Sequence, residues 1–210
     1  MPPDTRDRIV AAAMDLFLRK GYGSTSISDV LQTAGVNSGS LYHFFPGKQD
    51  VLLAVLAAYQ DGIRELLLEP AWKNVEDPVE RIFALLACYR NAIVQTDCAY
   101  GCPIGILAME LHEPDPPVRK KVAGNFDAWV EAIVECLEAA GPRVPPNLDK
   151  RALAEFTLTT MEGGVMLART WRNVVHFDRA VAQLRAYFDL ILKPPRSGRA
   201  RAPRTPKKHT

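Results

Sequence analysis

Apolar residues recur every three or four positions along most of this chain, and no segment sustains the apolar-polar alternation of a strand. The pattern predicts an all-α protein of nine helices. The first places Ile9, Ala12, Ala13, Leu16 and Phe17 on one face and closes at Lys20-Gly21, a basic last turn followed by a glycine stop. Ser26 caps a short second helix carrying Ile27, Val30 and Leu31, with Asp29 in the first turn, where the helix dipole favours an acid. Ala34-Gly35-Val36 reads as a turn. A third helix starts at Asn37 or Ser38 and ends near Pro46-Gly47.

A longer fourth helix begins near Lys48 and carries Leu52, Val55, Leu56, Tyr59, Ile63 and Leu66 until Glu69-Pro70, long enough to join a head to a body. Asp77-Pro78 opens the fifth, and Pro103 opens a short sixth that runs through Leu111. The seventh spans residues 118–140 and stops at Gly141-Pro142; the eighth and ninth run from about 149 to 172 and from about 178 to 192. Pro194-Pro195 then ends the pattern, and the following segment, rich in proline, small and basic residues, cannot build a core and is expected to be disordered.

With 48% apolar and 24% charged residues in a 210-residue chain, the composition is that of an ordinary soluble globular protein. The net charge of +2 conceals an asymmetry. Residues 193–210 hold seven Lys and Arg and no acid, so residues 1–192 carry 19 basic against 24 acidic side chains. No uncharged apolar run of about eighteen residues exists and the N-terminus lacks the layout of a secretory signal, so a cytoplasmic protein without membrane contact is expected. Cys88, Cys98, Cys102 and Cys136 show no paired CxxC spacing, which favours free thiols over a disulfide framework or a metal site.

The segment from Thr25 to Phe45, with Ala34-Gly35-Val36-Asn37-Ser38-Gly39-Ser40-Leu41-Tyr42-His43-Phe44 at its centre and Pro46-Gly47-Lys48 after it, resembles the DNA-binding head of the TetR/AcrR regulator family. A helix in the major groove needs small or polar residues on its outer face, and Ser38, Gly39 and Ser40 supply them. Leu41, Phe44 and Phe45 are expected to face inward, with Tyr42 and His43 outside. Hydroxyls, ammonium groups and helix starts hold phosphate, and Thr25, Ser26, Tyr42 and Lys48 stand where the family uses such groups. Asn37, Ser38, Ser40 and His43 are the candidates to read bases, with Gly39 allowing close approach. As a plain helical hairpin, the same segment would use Ser38 and Ser40 as caps and leave His43 in water. Residues 1–50 hold five basic and five acidic side chains, so attraction to DNA depends on where charges sit. The tail is a second possible source of it, against a merely solubilising role.

The resemblance implies a homodimer on a palindromic operator, with half-sites about one DNA turn apart or a little more, and a body that encloses a small-molecule effector. Gly163, Gly164, Leu167, Ala168, Leu184, Tyr187 and Phe188 suit a four-helix interface between copies, with intramolecular core as the competing reading. Tyr100-Gly101-Cys102-Pro103-Ile104-Gly105 and Met161-Glu162-Gly163-Gly164 look like a branch with GC(P/L)xG and EG motifs, some members of which answer drugs, flavonoids or reactive electrophiles. Phe83, Tyr89, Ile106, Met109, Phe126, Trp129, Phe156 and Met166 are candidate pocket walls, unless they simply fill core. Cys102, just before a helix start, is a further candidate there: a lowered thiol pKa would make it, with Cys98, a sensor of electrophiles, the alternative being a buried packing residue.

The expected architecture is therefore a three-helix helix-turn-helix head (1–48), joined by a fourth helix to a helical-bundle ligand-binding and dimerisation body (49–192), and a basic tail (193–210). The expected function is a ligand-responsive transcriptional regulator, a repressor by the family's habit, released from DNA when a small apolar or reactive molecule binds. Nothing in the sequence marks an enzyme: Cys102 with His112, or Glu110 with Glu162, come with no oxyanion motif, phosphate loop or metal spacing. No cofactor is expected. A constitutive architectural DNA-binding protein is the third reading, and a ligand-sized cavity would tell against it.

Overall fold

The computed structural model describes residues 4–192, so the expected basic tail at 193–210 lies outside the described residues. Helix α1 (Thr5–Lys20) starts at Asp4, whose side chain accepts the Arg6 N–H, and stops at Gly21 with φ +83°. Helix α2 (Ile27–Ala34) is fixed by a reciprocal cap. The Asp29 N–H donates to Ser26 Oγ at 3.0 Å, and the Ser26 N–H donates to the Asp29 carboxylate at 2.8 Å. Its far end stops at Gly35, with φ +64°, where the Arg8 guanidinium donates to the carbonyls of Ala34 and Gly35 at 2.6 and 2.9 Å. That contact satisfies acceptors the helix leaves orphaned and sets the turn into α3 (Ser38–Phe44).

The fourth helix does not end at Glu69-Pro70. Helix α4 (Lys48–Ile63) passes into a π-helical turn (Arg64–Leu68) and on into α5 (Glu69–Trp72), with Pro70 in the first turn of α5. A proline ring presses on the carbonyl four residues earlier, here that of Leu66. The wider turn spans that carbonyl, so the helix continues where the sequence suggests a stop. Counted as one continuous helix, α4 and α5 make nine helices among the described residues with α1–α3 and the five that follow, the number the periodicity predicts.

The body comprises α6 (Pro78–Gln95), α7 (Pro103–Glu110), α8 (Pro116–Ala139), α9 (Lys150–Trp171) and α10 (Val175–Ile191). Proline fills the first position of α6, α7 and α8, where its missing N–H costs nothing. Helix α10 starts three residues before the expected Asp178, separated by two residues from the left-handed Arg172 that ends α9. One apolar core unites α6, α8, α9 and α10 around Ile82, Leu86, Ile133, Met161 and Phe188.

A second core begins in the head with Ile9, Phe17, Val30, Leu41 and Phe45, continues through Val51, Leu52, Val55 and Leu56 of α4, and takes in Ile104 and Leu107 of α7 and Val118 and Val122 of α8. The boundary expected at residue 48 thus cuts through one packed cluster. Each large apolar side chain removed from water there stabilises by about 2 kcal/mol. Tilting the head on α7 and α8 would strip several of them together. Asn125 adds a polar tie: its side-chain amide donates to the Leu56 carbonyl of α4 at 3.0 Å.

Candidate DNA interface and buried cavity

On α3 the residues expected to meet DNA divide by their surroundings. Ser38, Gly39, Tyr42 and His43 are exposed, and Ser40 is half-buried. Asn37 is exposed as well, but its Oδ1 accepts the Ser40 N–H at 2.8 Å, so it caps α3, and only its amide nitrogen remains to seek a base. Leu41 and Phe45 are buried as expected. Phe44 is not: it is 38% exposed and meets the His43 ring edge-on at 4.8 Å, because at position 44 the helix turns its side chain away from the core beneath Leu41.

The expected phosphate contacts also divide. Thr25 is buried at 1% exposure and its hydroxyl donates to the Gly21 carbonyl at 2.7 Å, so its side chain closes the end of α1 and is turned into the protein. The Ser26 hydroxyl is exposed but donates to the Asp29 carboxylate at 2.7 Å. Hydrogen bonds from the Ser26 hydroxyl, the Ser26 N–H and Lys20 hold the Asp29 carboxyl at about 2. A phosphate approaching this helix start therefore meets a permanent anion. Lys48, the first residue of α4, lies with Nζ 4.2 Å from the centroid of the Tyr22 ring. Partial burial lowers its pKa against the opposing pull of Glu110 and Asp29.

Glu110, at the end of α7, is the element that sequence reasoning missed. Its carboxylate accepts the backbone N–H groups of Tyr22 and Gly23, in the loop between α1 and α2, at 2.7 and 2.6 Å. A carboxylate takes two such donors at once. The only sequence signal is an acid at the end of an otherwise apolar helix.

The other end of α7 walls a cavity of about 330 Å³. Tyr59, Ile63, Leu66 and Leu67 line it from α4 and the π turn, Cys88, Tyr89 and Ala92 from α6, and Gly101, Cys102, Pro103 and Ile104 from the start of α7. Asn125, Phe126 and Trp129 come from α8, and Leu158, Met161 and Glu162 from α9. Of the residues expected here, Tyr89, Cys102, Phe126 and Trp129 are present. The others are elsewhere. Phe83 packs edge-on against Phe188 at 5.3 Å, beneath the Arg185 guanidinium, in a separate shallow cleft between α6 and α10. Ile106 is half-buried and does not line the cavity, Met109 is 81% exposed, and Phe156 and Met166 stand on the outer face of α9 at 49% and 52% exposure. Helical spacing put these residues in plausible rows but could not say which row faces inward.

Two glycines let α7 reach α9. A Cβ on Gly101 would stand 2.4 Å from Val165 Cγ1, and one on Gly105 would stand 2.2 Å from Glu162 Oε2. Cys102 lies between them as the N-cap of α7, its sulfur accepting the Gly105 N–H at 3.5 Å. The helix start does favour a thiolate, but burial and the neighbouring Glu162 outweigh it and push the thiol well up. Cys102 is thus a protonated wall residue, contrary to the lowered pKa expected of a sensor. Burial raises the pKa of Glu162 too, partly offset by a hydrogen bond from Cys102, and raises that of Tyr89 well above its ordinary value. Two buried polar atoms of this wall have no hydrogen-bond partner: Trp129 Nε1 and Glu162 Oε1.

Among the described residues no group of three His, Cys, Asp or Glu is arranged to hold a metal, and no helix is long and apolar enough to cross a membrane. The four cysteines are unpaired.

This chain is similar to known proteins in both its head and its body. Residues 9–55 match the family described as "Bacterial regulatory proteins, tetR family", and residues 78–183 match "Transcriptional regulator LmrA/YxaF-like, C-terminal domain". An uncharacterized HTH-type transcriptional regulator of Mycobacterium tuberculosis is 34% identical over 185 residues, covering 86% of this chain and 92% of that one. The HTH-type transcriptional repressor DhaR of Mycobacterium sp. is 26% identical over 177 residues, 83% and 87% of the two chains. The crystal structure of a TetR transcriptional regulator from Chloroflexus aurantiacus superposes with a TM-score of 0.77 at 30% identity, covering 90% and 96%. A helix-turn-helix head on an LmrA/YxaF-like body makes this chain a member of the TetR family of bacterial transcriptional regulators, a DNA-binding regulator and not an enzyme.

Proposed function

We propose that the protein is a cytoplasmic homodimeric repressor that binds a palindromic operator and leaves it when a small, mainly apolar molecule fills the body cavity. The observation that carries this reading is that one eight-residue helix, α7, walls the cavity at Cys102–Ile104 and grips the head at Glu110. A ligand that favours a different seat for α7 favours a different seat for the head. The resulting population shift needs a coupling of only about 1–3 kcal/mol. Residues up to 48 act as the reader, and residues 49–192 as sensor and dimerisation body. Repression is the role for which the Mycobacterium sp. relative, the repressor DhaR, is named. The raised Cys102 thiol favours reversible binding over covalent capture of electrophiles.

Ser38, Gly39, Tyr42 and His43 present the reading surface, supported by Ser40 and the amide of Asn37, while Lys48 supplies phosphate contact from the start of α4. Selection of bound sequences from a random DNA pool by the full chain tests the reading. Two inverted half-sites are expected. Enrichment of a lone half-site, or of none, would refute the dimeric operator. Transcription in vitro from a promoter bearing the selected site then distinguishes repression from activation.

A further inference from the structure

The cavity has one acidic side chain and no basic one among the residues that line it. Glu162 Oε1 is buried there without a partner, and so is the indole N–H of Trp129, a residue 3% exposed. Unsatisfied polar atoms in an apolar wall are costly, and a carboxyl with no countercharge is costlier. The Trp129 N–H lies near enough to the Tyr89 hydroxyl to favour its ionised form, yet reaches hydrogen-bond geometry with nothing. The remaining wall is hydrocarbon, aromatic ring and thiol, apart from the hydroxyls of Tyr59 and Tyr89 and the amide of Asn125, whose nitrogen is already committed to the Leu56 and Lys121 carbonyls. Glu162 is the one charged group among the described residues that line the cavity.

Resting on the reading of the cavity as the effector site, we infer that the effector is a lipophilic amine, its protonated nitrogen donating to Glu162 Oε1 and an oxygen acceptor on the same molecule taking the Trp129 N–H. An ammonium brings the countercharge that Glu162 lacks. A neutral alcohol would satisfy the oxygen without neutralising it, and a carboxylate would set a second anion beside it in a dry site. Charge-assisted bonds are about twice as strong as neutral ones, which sets the order amine over alcohol over acid. Glu162 also packs against Gly105 of α7, so pulling its carboxyl toward a cation changes the seat of the helix that holds the head.

The test uses the full-length protein and three probes of one skeleton, 2-(2-naphthyloxy)ethylamine, 2-(2-naphthyloxy)ethanol and 2-naphthyloxyacetic acid, titrated calorimetrically at neutral pH. The amine should bind about tenfold tighter than the alcohol, and the acid should be the weakest. Glu162→Gln should remove the preference for the amine while leaving the alcohol within about twofold, and Trp129→Phe should weaken amine and alcohol alike by several-fold. Unchanged helical content and an unchanged cooperative thermal transition in each variant control for folding. The inference is overturned if the alcohol or the acid binds as tightly as the amine, or if Glu162→Gln leaves amine affinity unaltered. Either result leaves the cavity standing as an effector site for another class. If none of the three binds, the inference falls together with that reading. An amine that binds through Glu162 yet leaves operator affinity unchanged upholds the inference and refutes release by ligand.

Discussion

The carboxylate of Glu110 accepts the backbone N–H of Tyr22 at 2.7 Å, although 88 residues separate them in the chain. The partner bond, from the Gly23 N–H, is 2.6 Å long. Both donors belong to the loop between α1 and α2, so the bond joins the end of α7 to the segment that positions the helix-turn-helix. Packing keeps this approach clear: a Cβ on Gly21 would stand 2.8 Å from Glu110 Oε2.

Glu110→Gln therefore tests the coupling. An amide can accept with one oxygen only, so one of the two backbone donors loses its partner. Amide exchange at Tyr22 and Gly23 should accelerate about tenfold, with a global stability loss of about 1 kcal/mol because the site is open to water. Ligand-induced loss of DNA affinity should shrink. Exchange rates at those two amides identical to wild type would show that the contact contributes nothing.

Asp29 gives a pH dependence of known sign. Its carboxyl titrates at about 2 in the folded protein, held low first by the Ser26 hydroxyl, then by the Ser26 N–H and Lys20. The unfolded chain titrates near the ordinary aspartate value, about 3.9. The cap therefore stabilises fully above about pH 4 and is lost as the pH falls toward 2. Wild type should melt above Asp29→Asn at pH 6, and the gap should close as the pH is lowered to about 2. A gap independent of pH would assign the cap to geometry rather than charge.

Thr25 and His43 should separate stability from DNA binding. Thr25→Val keeps the buried shape but leaves the Gly21 carbonyl without its 2.7 Å donor, at a cost of about 1–2 kcal/mol in denaturant titration, with operator affinity retained at temperatures where the protein is folded. His43→Ala removes an exposed side chain, should leave stability within about 0.5 kcal/mol, and should weaken operator binding several-fold. The reverse pattern would exchange their roles.

At Gly101 an added methyl meets Val165, a stiff β-branched residue, at 2.4 Å, whereas at Gly105 it meets the movable end of Glu162. Gly101→Ala should therefore cost about 1–3 kcal/mol and be partly rescued by Val165→Ala in a double-mutant cycle. Gly105→Ala should cost less stability and disturb the cavity more, measured as altered probe affinity. Additive effects at 101 and 165 would contradict the packing.

The all-α fold was legible because period 3.6 persists through almost every segment, and the caps at Ser26 and Asp77 and the starting prolines of α6, α7 and α8 marked where it breaks. Pro70 misled because a π turn can absorb a proline that an α-helix cannot. The helix at Ser38–Phe44 was legible from its cap and its small polar residues. Phe44 was not, since one residue of helical rotation decides whether a side chain meets solvent or core, and neither was Thr25, a loop residue whose hydroxyl turns back onto the Gly21 carbonyl. Phe156 and Met166 failed for a related reason: α9 is apolar on two faces, and sequence does not say which one the body keeps.

That second face of α9 carries the last prediction. Phe156 and Met166 on α9, and Tyr187 and Leu190 on α10, are 49%, 52%, 43% and 82% exposed, and the Phe156 and Tyr187 rings meet edge-on at 5.8 Å across the two helices. Gly163, on the same face, has open space above it. By contrast Gly164, Ala168, Leu184 and Phe188, expected at an interface, are buried within the chain itself, with Gly164 against Phe177. A patch of this kind, with a glycine that permits close approach, suits the antiparallel helix pair of a second copy. Charge placed there would be desolvated on association, at a cost of several kcal/mol. Phe156→Glu combined with Leu190→Glu should give a folded monomer in analytical ultracentrifugation, with affinity for a full operator reduced toward that for a half-site. A double variant that still sediments as a dimer would move the interface off this face.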